Sequence, residues 1–155
     1  MNAALTSLVA VFAALAGSTL TFVFQRHTAR QTERFTREQQ LRQERVGAYS
    51  SFAAALTDFR RSQNDRWHLE RADPDSAQCV SARAESYQRR SEATAALCRV
   101  RLLCGGSALS ELARAALDAT TEIHLAGDEQ DRARRGETAR VALDRFLADA
   151  SPHAH

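Results

Sequence analysis

The chain contains no lysine, and all 21 of its basic residues are arginines. Alanine is its commonest residue, so the arginine content reads as the bias of a GC-rich coding genome. Arginine abundance by itself therefore does not argue for a nucleic-acid ligand. Cysteine is scarce and unpaired by pattern. Cys79, Cys98 and Cys104 form an odd set with no CxxC spacing and no histidine in ligand register, which excludes a zinc site or a disulfide framework. They read as small residues buried on helix faces. The histidines (His27, His68, His124, His153 and His155) are scattered, with no HExxH and no ExxH pair. His68 and Glu70 stand two residues apart, which puts them on different faces of a helix. No segment alternates with a period of two, so no sheet is expected. Gly105-Gly106-Ser107 has no preceding strand and no GxxxxGK[ST] pattern, and it reads as a helix end followed by a cap. The serines lie in helices or at caps, without the strained elbow of a nucleophile. No catalytic, cofactor-binding or metal-binding residues are assigned, and the chain is not expected to be an enzyme.

Charge is also missing from one long stretch. Ala3 to Phe24 (AALTSLVAVFAALAGSTLTFVF) carries no formal charge. Roughly 20 apolar residues at ~1.5 Å each cross a bilayer core of ~30 Å, and a helix satisfies its own backbone there. Arginine follows at once, at Arg26, Arg30, Arg34 and Arg37, while only Met1 and Asn2 precede the run. Cationic flanks stay cytoplasmic, so the predicted topology is a single-pass cell-membrane protein with its N-terminus outside and its C-terminal domain in the cytoplasm. The alternative is a cleaved secretory signal, because Ala14-Leu15-Ala16 before Gly17 has the small-x-small form of a cleavage site. A signal peptide carries its charge before the apolar run, however, and here the charge comes after it. Small residues at i, i+4 (Ala10 with Ala14, Ala13 with Gly17, Ala14 with Ser18, Gly17 with Thr21) would let two such helices approach closely, so a homo-oligomer is one expected state.

Residues 25–45 hold six arginines against three glutamates, while the rest of the chain is near neutral within a net charge of +2. This positive collar suits a lipid bilayer with anionic headgroups better than a nucleic-acid duplex. Nucleic acid is disfavoured as a partner on other grounds too. Arg89-Arg90 has no recognition helix beside it, and Arg132, Arg134 and Arg135 are screened by Asp128, Glu129, Asp131 and Glu137.

The helices follow in order. Residues 25–40 are polar around the circumference without Pro or Gly, which predicts a basic helical stalk continuing the span. An apolar stripe then runs through Leu41, Ala48, Tyr49, Phe52, Ala55, Leu56, Phe59 and Trp67, interrupted by Gln63. At Ala72-Asp73-Pro74-Asp75-Ser76 the chain turns, with Asp73 as cap and Pro74 as first residue of a second helix to Leu103. That helix is expected to bury Val80, Ala84, Tyr87, Thr94, Cys98 and Leu102, widened by Ala93, Leu97, Val100 and Cys104. Gly105-Gly106 ends it. A third helix, capped by Ser107 and closed by Gly127, buries Leu109, Leu112, Ala113, Ala116, Leu117 and Ile123. A fourth, capped by Asp128, buries Ala139, Ala142, Leu143, Phe146 and Leu147. The expected architecture is all-α: an N-terminal transmembrane helix (1–24) continuing through a stalk (25–40) into a cytoplasmic antiparallel helical bundle (41–150), with a frayed tail (151–155).

Two stretches, GSTLTFVFQRHTAR from Gly17 to Arg30 and ARAESYQRRSEATAALCRVRLL from Ala82 to Leu103, together with this overall plan, resemble a family of small streptomycete membrane proteins, the KilB-like proteins. The resemblance implies a membrane-associated accessory to plasmid spread and supplies no catalytic residues. The expected function is a membrane-anchored helical adaptor that holds a helical surface near the inner leaflet for an unidentified protein partner. The competing readings are a ligand or redox sensor acting through Cys79, Cys98 and Cys104, an enzyme with a polar cluster inside its bundle, and a DNA-tethering protein.

Overall fold

The structure is a computed structural model that describes residues 2–105 and 107–153, with side chains described over 35–105 and 107–152. Four helices account for almost all of it: α1 (Asn2–Ala72), α2 (Ala77–Cys104), α3 (Ala108–Thr121) and α4 (Glu129–Ala150). Short 3-10 turns cover Glu122–Leu125 and Ser151–His153. There is no strand among the described residues. The chain divides into two compact units, Met1–Leu41 and Arg42–His155.

In the first unit, residues 35–41 are exposed, including Phe35 and Leu41. Leu41 therefore does not begin the buried stripe; burial along α1 starts at Ala48. Among the described residues no helix is long and apolar enough to cross a membrane. The run Ala3–Phe24 lies outside the residues whose side chains are described.

The second unit is an up-and-down four-helix bundle. Residues early in its α1 segment meet the end of α2, and later ones meet its start. Tyr49 Oη lies 3.2 Å from Cys104 Sγ, Gln63 bonds Ser86, and Glu70 pairs with Arg83. α4 is likewise antiparallel to α1, since Tyr49 and Phe52 meet Phe146 while Asn64 meets Arg132. α3 runs parallel to α1 and places Thr121 beside Gln63. Phe52, Leu56, Phe59, Ile123 and Phe146 are fully buried. Phe146 packs edge-on against both Phe52 (centroids 5.2 Å apart) and Tyr49 (5.8 Å), the arrangement that the aromatic quadrupole favours.

The punctuation between helices differs in detail from the expectation. Asp73 does not cap α2. Its Oδ1 accepts from Asp75 N–H in a local turn, and Ser76 caps instead, its Oγ accepting from Cys79 N–H at 3.1 Å. Pro74 therefore stays outside the helix. At the far end Gly105 adopts the left-handed conformation (φ 60°, ψ 38°) and donates its N–H to Arg101 O, as paired glycines suggest. Ser107 occupies the cap position of α3, but its hydroxyl makes no capping bond. Gly127 needs no special conformation, because α3 has already tightened into a 3-10 turn at Glu122. Asp128 caps α4 through Asp131 N–H at 2.7 Å.

α2 presents the main surprise. Its buried face is Cys79, Ala82, Ser86, Ala93, Leu97 and Val100; of these Ala93, Leu97 and Val100 were expected, whereas the remaining expected residues, apart from the half-buried Cys104, face outward. Val80 is 58%, Tyr87 61% and Leu102 85% exposed, and Ala84, Thr94 and Cys98 are exposed with them. In the first half of α2 the smaller side chains, Cys79, Ala82 and Ser86, are turned inward, and Ser86 meets Gln63. In α4 the shift is smaller: Leu147 is exposed, and Ala150 is buried in its place.

Candidate functional site

Of the four flanking arginines, Arg37 is exposed on α1. The side chains of Arg26, Arg30 and Arg34 lie outside the described residues. The bundle itself contains two arrangements of chemical interest.

The first is a polar cluster centred on Gln63, which is 1% exposed and lies where a break in the apolar stripe was expected. Carbonyls only accept, so the contacts to Thr121 O (2.9 Å) and Thr120 O (3.4 Å) settle the amide orientation: Nε2 donates to both. Oε1 then accepts from Ser86 Oγ at 2.7 Å. His124 Nδ1 lies 2.8 Å from Thr121 O and so carries the proton it donates there. Burial, with the nearby Arg66 guanidinium, lowers the His124 pKa below its ordinary 6.5 and keeps the ring neutral. About two turns further along α1, Glu70 accepts from Arg66 (2.9 Å) and Arg83 (2.8 Å). Burial alone would raise the Glu70 pKa, but these two hydrogen bonds outweigh it and hold the carboxyl below its usual range. Trp67 Nε1 donates to Ala126 O at 2.8 Å, and the Arg71 and Arg132 guanidiniums lie over its ring at 4.9 and 5.4 Å. Every buried side-chain nitrogen or oxygen among the described residues has a partner. The cluster joins α1 to α2, α3 and the turn before α4.

The second lies at the opposite end of the bundle, where the surface is grooved. One groove of about 500 Å³ is lined by Glu44, Gly47, Ala48, Ser51, Arg99, Leu102 and Leu103. A neighbouring recess of about 240 Å³ includes Arg45, Tyr49, Cys104 and Asp149. Burial first, and the contact with Cys104 second, push the Tyr49 phenol up to about 12.

The cysteines divide three ways rather than sharing a buried role. Cys79 is buried, Cys104 is half-buried against Tyr49, and Cys98 is exposed. All three are free thiols. Among the described residues no three His, Cys, Asp or Glu side chains are gathered to hold a metal ion. The basic cluster of α4 is paired with carboxylates: Arg132 with Glu129, Arg134 and Arg135 with Asp131, and Arg140 with Glu137 and Asp144. The two arginines and the Gly127 N–H bring Asp131 down to about 2.

The fold and these surfaces define an all-α protein whose bundle is closed by internal polar contacts and whose open features are grooves and an outward apolar stripe on α2. The KilB plasmid transfer protein family matches residues 46–154, nearly the whole bundle. The chain is also 34% identical over 146 residues to Protein KilB of Streptomyces lividans, covering 94% of this chain and 95% of that one. It belongs to the KilB plasmid transfer protein family. No solved structure matches it.

Proposed function

We propose that this KilB-family protein is a single-span membrane-anchored adaptor, with its bundle on the cytoplasmic side as an accessory to plasmid transfer. One observation carries the reading: the uncharged run Ala3–Phe24 is followed directly by Arg26, Arg30, Arg34 and Arg37. Membership of a plasmid transfer family supports the cellular context. The adaptor role is supported by the bundle's surfaces. Its buried polar cluster is spent on joining helices, whereas α2 turns Val80, Tyr87 and Leu102 to solvent, where another helical protein can meet them.

Fractionation of cells expressing the full chain tests the anchor. The protein is expected in the membrane pellet, resistant to alkaline carbonate and released by detergent. A reporter fused after Phe24 is expected to report the cytoplasm. Recovery in the soluble fraction without detergent, or a mature chain that begins at Gly17, overturns the reading.

A further inference from the structure

The groove between the start of the bundle's α1 segment and the end of α2 is open, and its lining is informative. On α1 it is lined by the buried Ala48 between the exposed Gly47 and Ser51, and on α2 by the half-buried Leu103 and by Leu102, which is 85% exposed. Glycine is the poorest helix former after proline. Nothing in this chain calls for one at position 47, since a Cβ there would meet no atom within 4 Å. The groove also has one charge on each wall, Glu44 from α1 and Arg99 from α2, and neither has an ion-pair partner among the described residues.

We propose that this groove is a two-fold self-association surface whose occupant is a second copy of this chain. An isologous interface requires one patch to carry both halves of every contact. This patch does: a projecting leucine beside an open groove, and a carboxylate opposite a guanidinium. In the pair, Leu102 of each copy enters the groove beside Gly47 and Ser51 of the other, and Arg99 of each faces Glu44 of the other. A small molecule fits less well, because small-molecule sites are marked by converging polar groups, and here the two charges stand on opposite walls. The inference goes beyond the anchoring proposed above and does not depend on it.

Sedimentation equilibrium of the purified full chain in mild detergent tests the pairing. The wild-type protein is expected to be a dimer that dissociates on dilution. Glu44→Arg and Arg99→Glu should each weaken it by about tenfold or more, as for charge pairs at other interfaces. The double variant carrying both substitutions should recover most of that loss, a result that misfolding cannot produce. Gly47→Leu should give monomers with an unchanged helical circular dichroism spectrum, because the space above it is empty. A wild-type monomer at all concentrations, a dimer unaffected by the single charge reversals, or a double variant no better than the singles each overturns the proposal. A dimer held instead by the apolar N-terminal run would survive all four variants and would overturn it as well. Failure of the anchor is read separately, from fractionation.

Discussion

Gln63 bonds Ser86 of α2 and the carbonyls of Thr120 and Thr121 at the end of α3, so one side chain sets the spacing of three helices. Gln63→Leu preserves volume but leaves the Ser86 hydroxyl buried without its acceptor. The expected cost is about 2 kcal/mol, part of which Ser86→Ala should restore. Urea unfolding followed by the fluorescence of Trp67, the only tryptophan, measures both. His124 adds a pH dependence whose sign follows from its environment. Its pKa is lower in the fold than its ordinary 6.5, so the unfolded chain binds more protons between the two values. Stability is therefore complete above about pH 6.5 and falls as the pH drops toward the folded pKa. Replacing His124 with Gln should flatten the stability profile just below about pH 6.5, as measured by denaturant midpoints. In the sequence His124 is one of five scattered histidines and Gln63 a gap in a stripe. What gives them meaning is their meeting across 61 positions.

At the scale of elements, two glycines make a paired test. Gly105 ends α2 at φ 60°, where any side chain is strained, so Gly105→Ala should destabilise by about 1 kcal/mol. Gly47 lies inside α1 with open space above it, so Gly47→Ala should stabilise the helix by about 0.5–1 kcal/mol. Thermal melts of the two variants should shift in opposite directions. The helices themselves, the turn after Ala72 and the caps at Gly105 and Asp128 were legible, because they rest on local chemistry: propensity, a left-handed glycine and an aspartate ahead of a helix. The exposed face of α2 was not. Ala93, Leu97 and Val100 are buried as expected, but in the first half of the helix packing selected Cys79, Ala82 and Ser86, whose small size allows close approach, over the larger Val80 and Tyr87.

At the scale of the whole molecule, the hydrophobic core runs from Ala48 to Ala150, and residues 35–41 are all exposed. A fragment spanning residues 42–155 should therefore fold alone, without detergent. Its expected signature is a single cooperative melt with the same Trp67 emission as the full chain; a broad, non-cooperative melt would show that the N-terminal unit is required. The sequence by itself determined the all-α class, the number of helices in the bundle and the family, because helical periodicity and turn chemistry act over a few residues and survive in a linear reading. The tertiary structure alone decided that the start of α2 buries Cys79, Ala82 and Ser86 rather than Val80 and Tyr87, which polar residues become partners and that an open groove lies beside Gly47. Those outcomes depend on the shapes of surfaces brought together from distant parts of the chain.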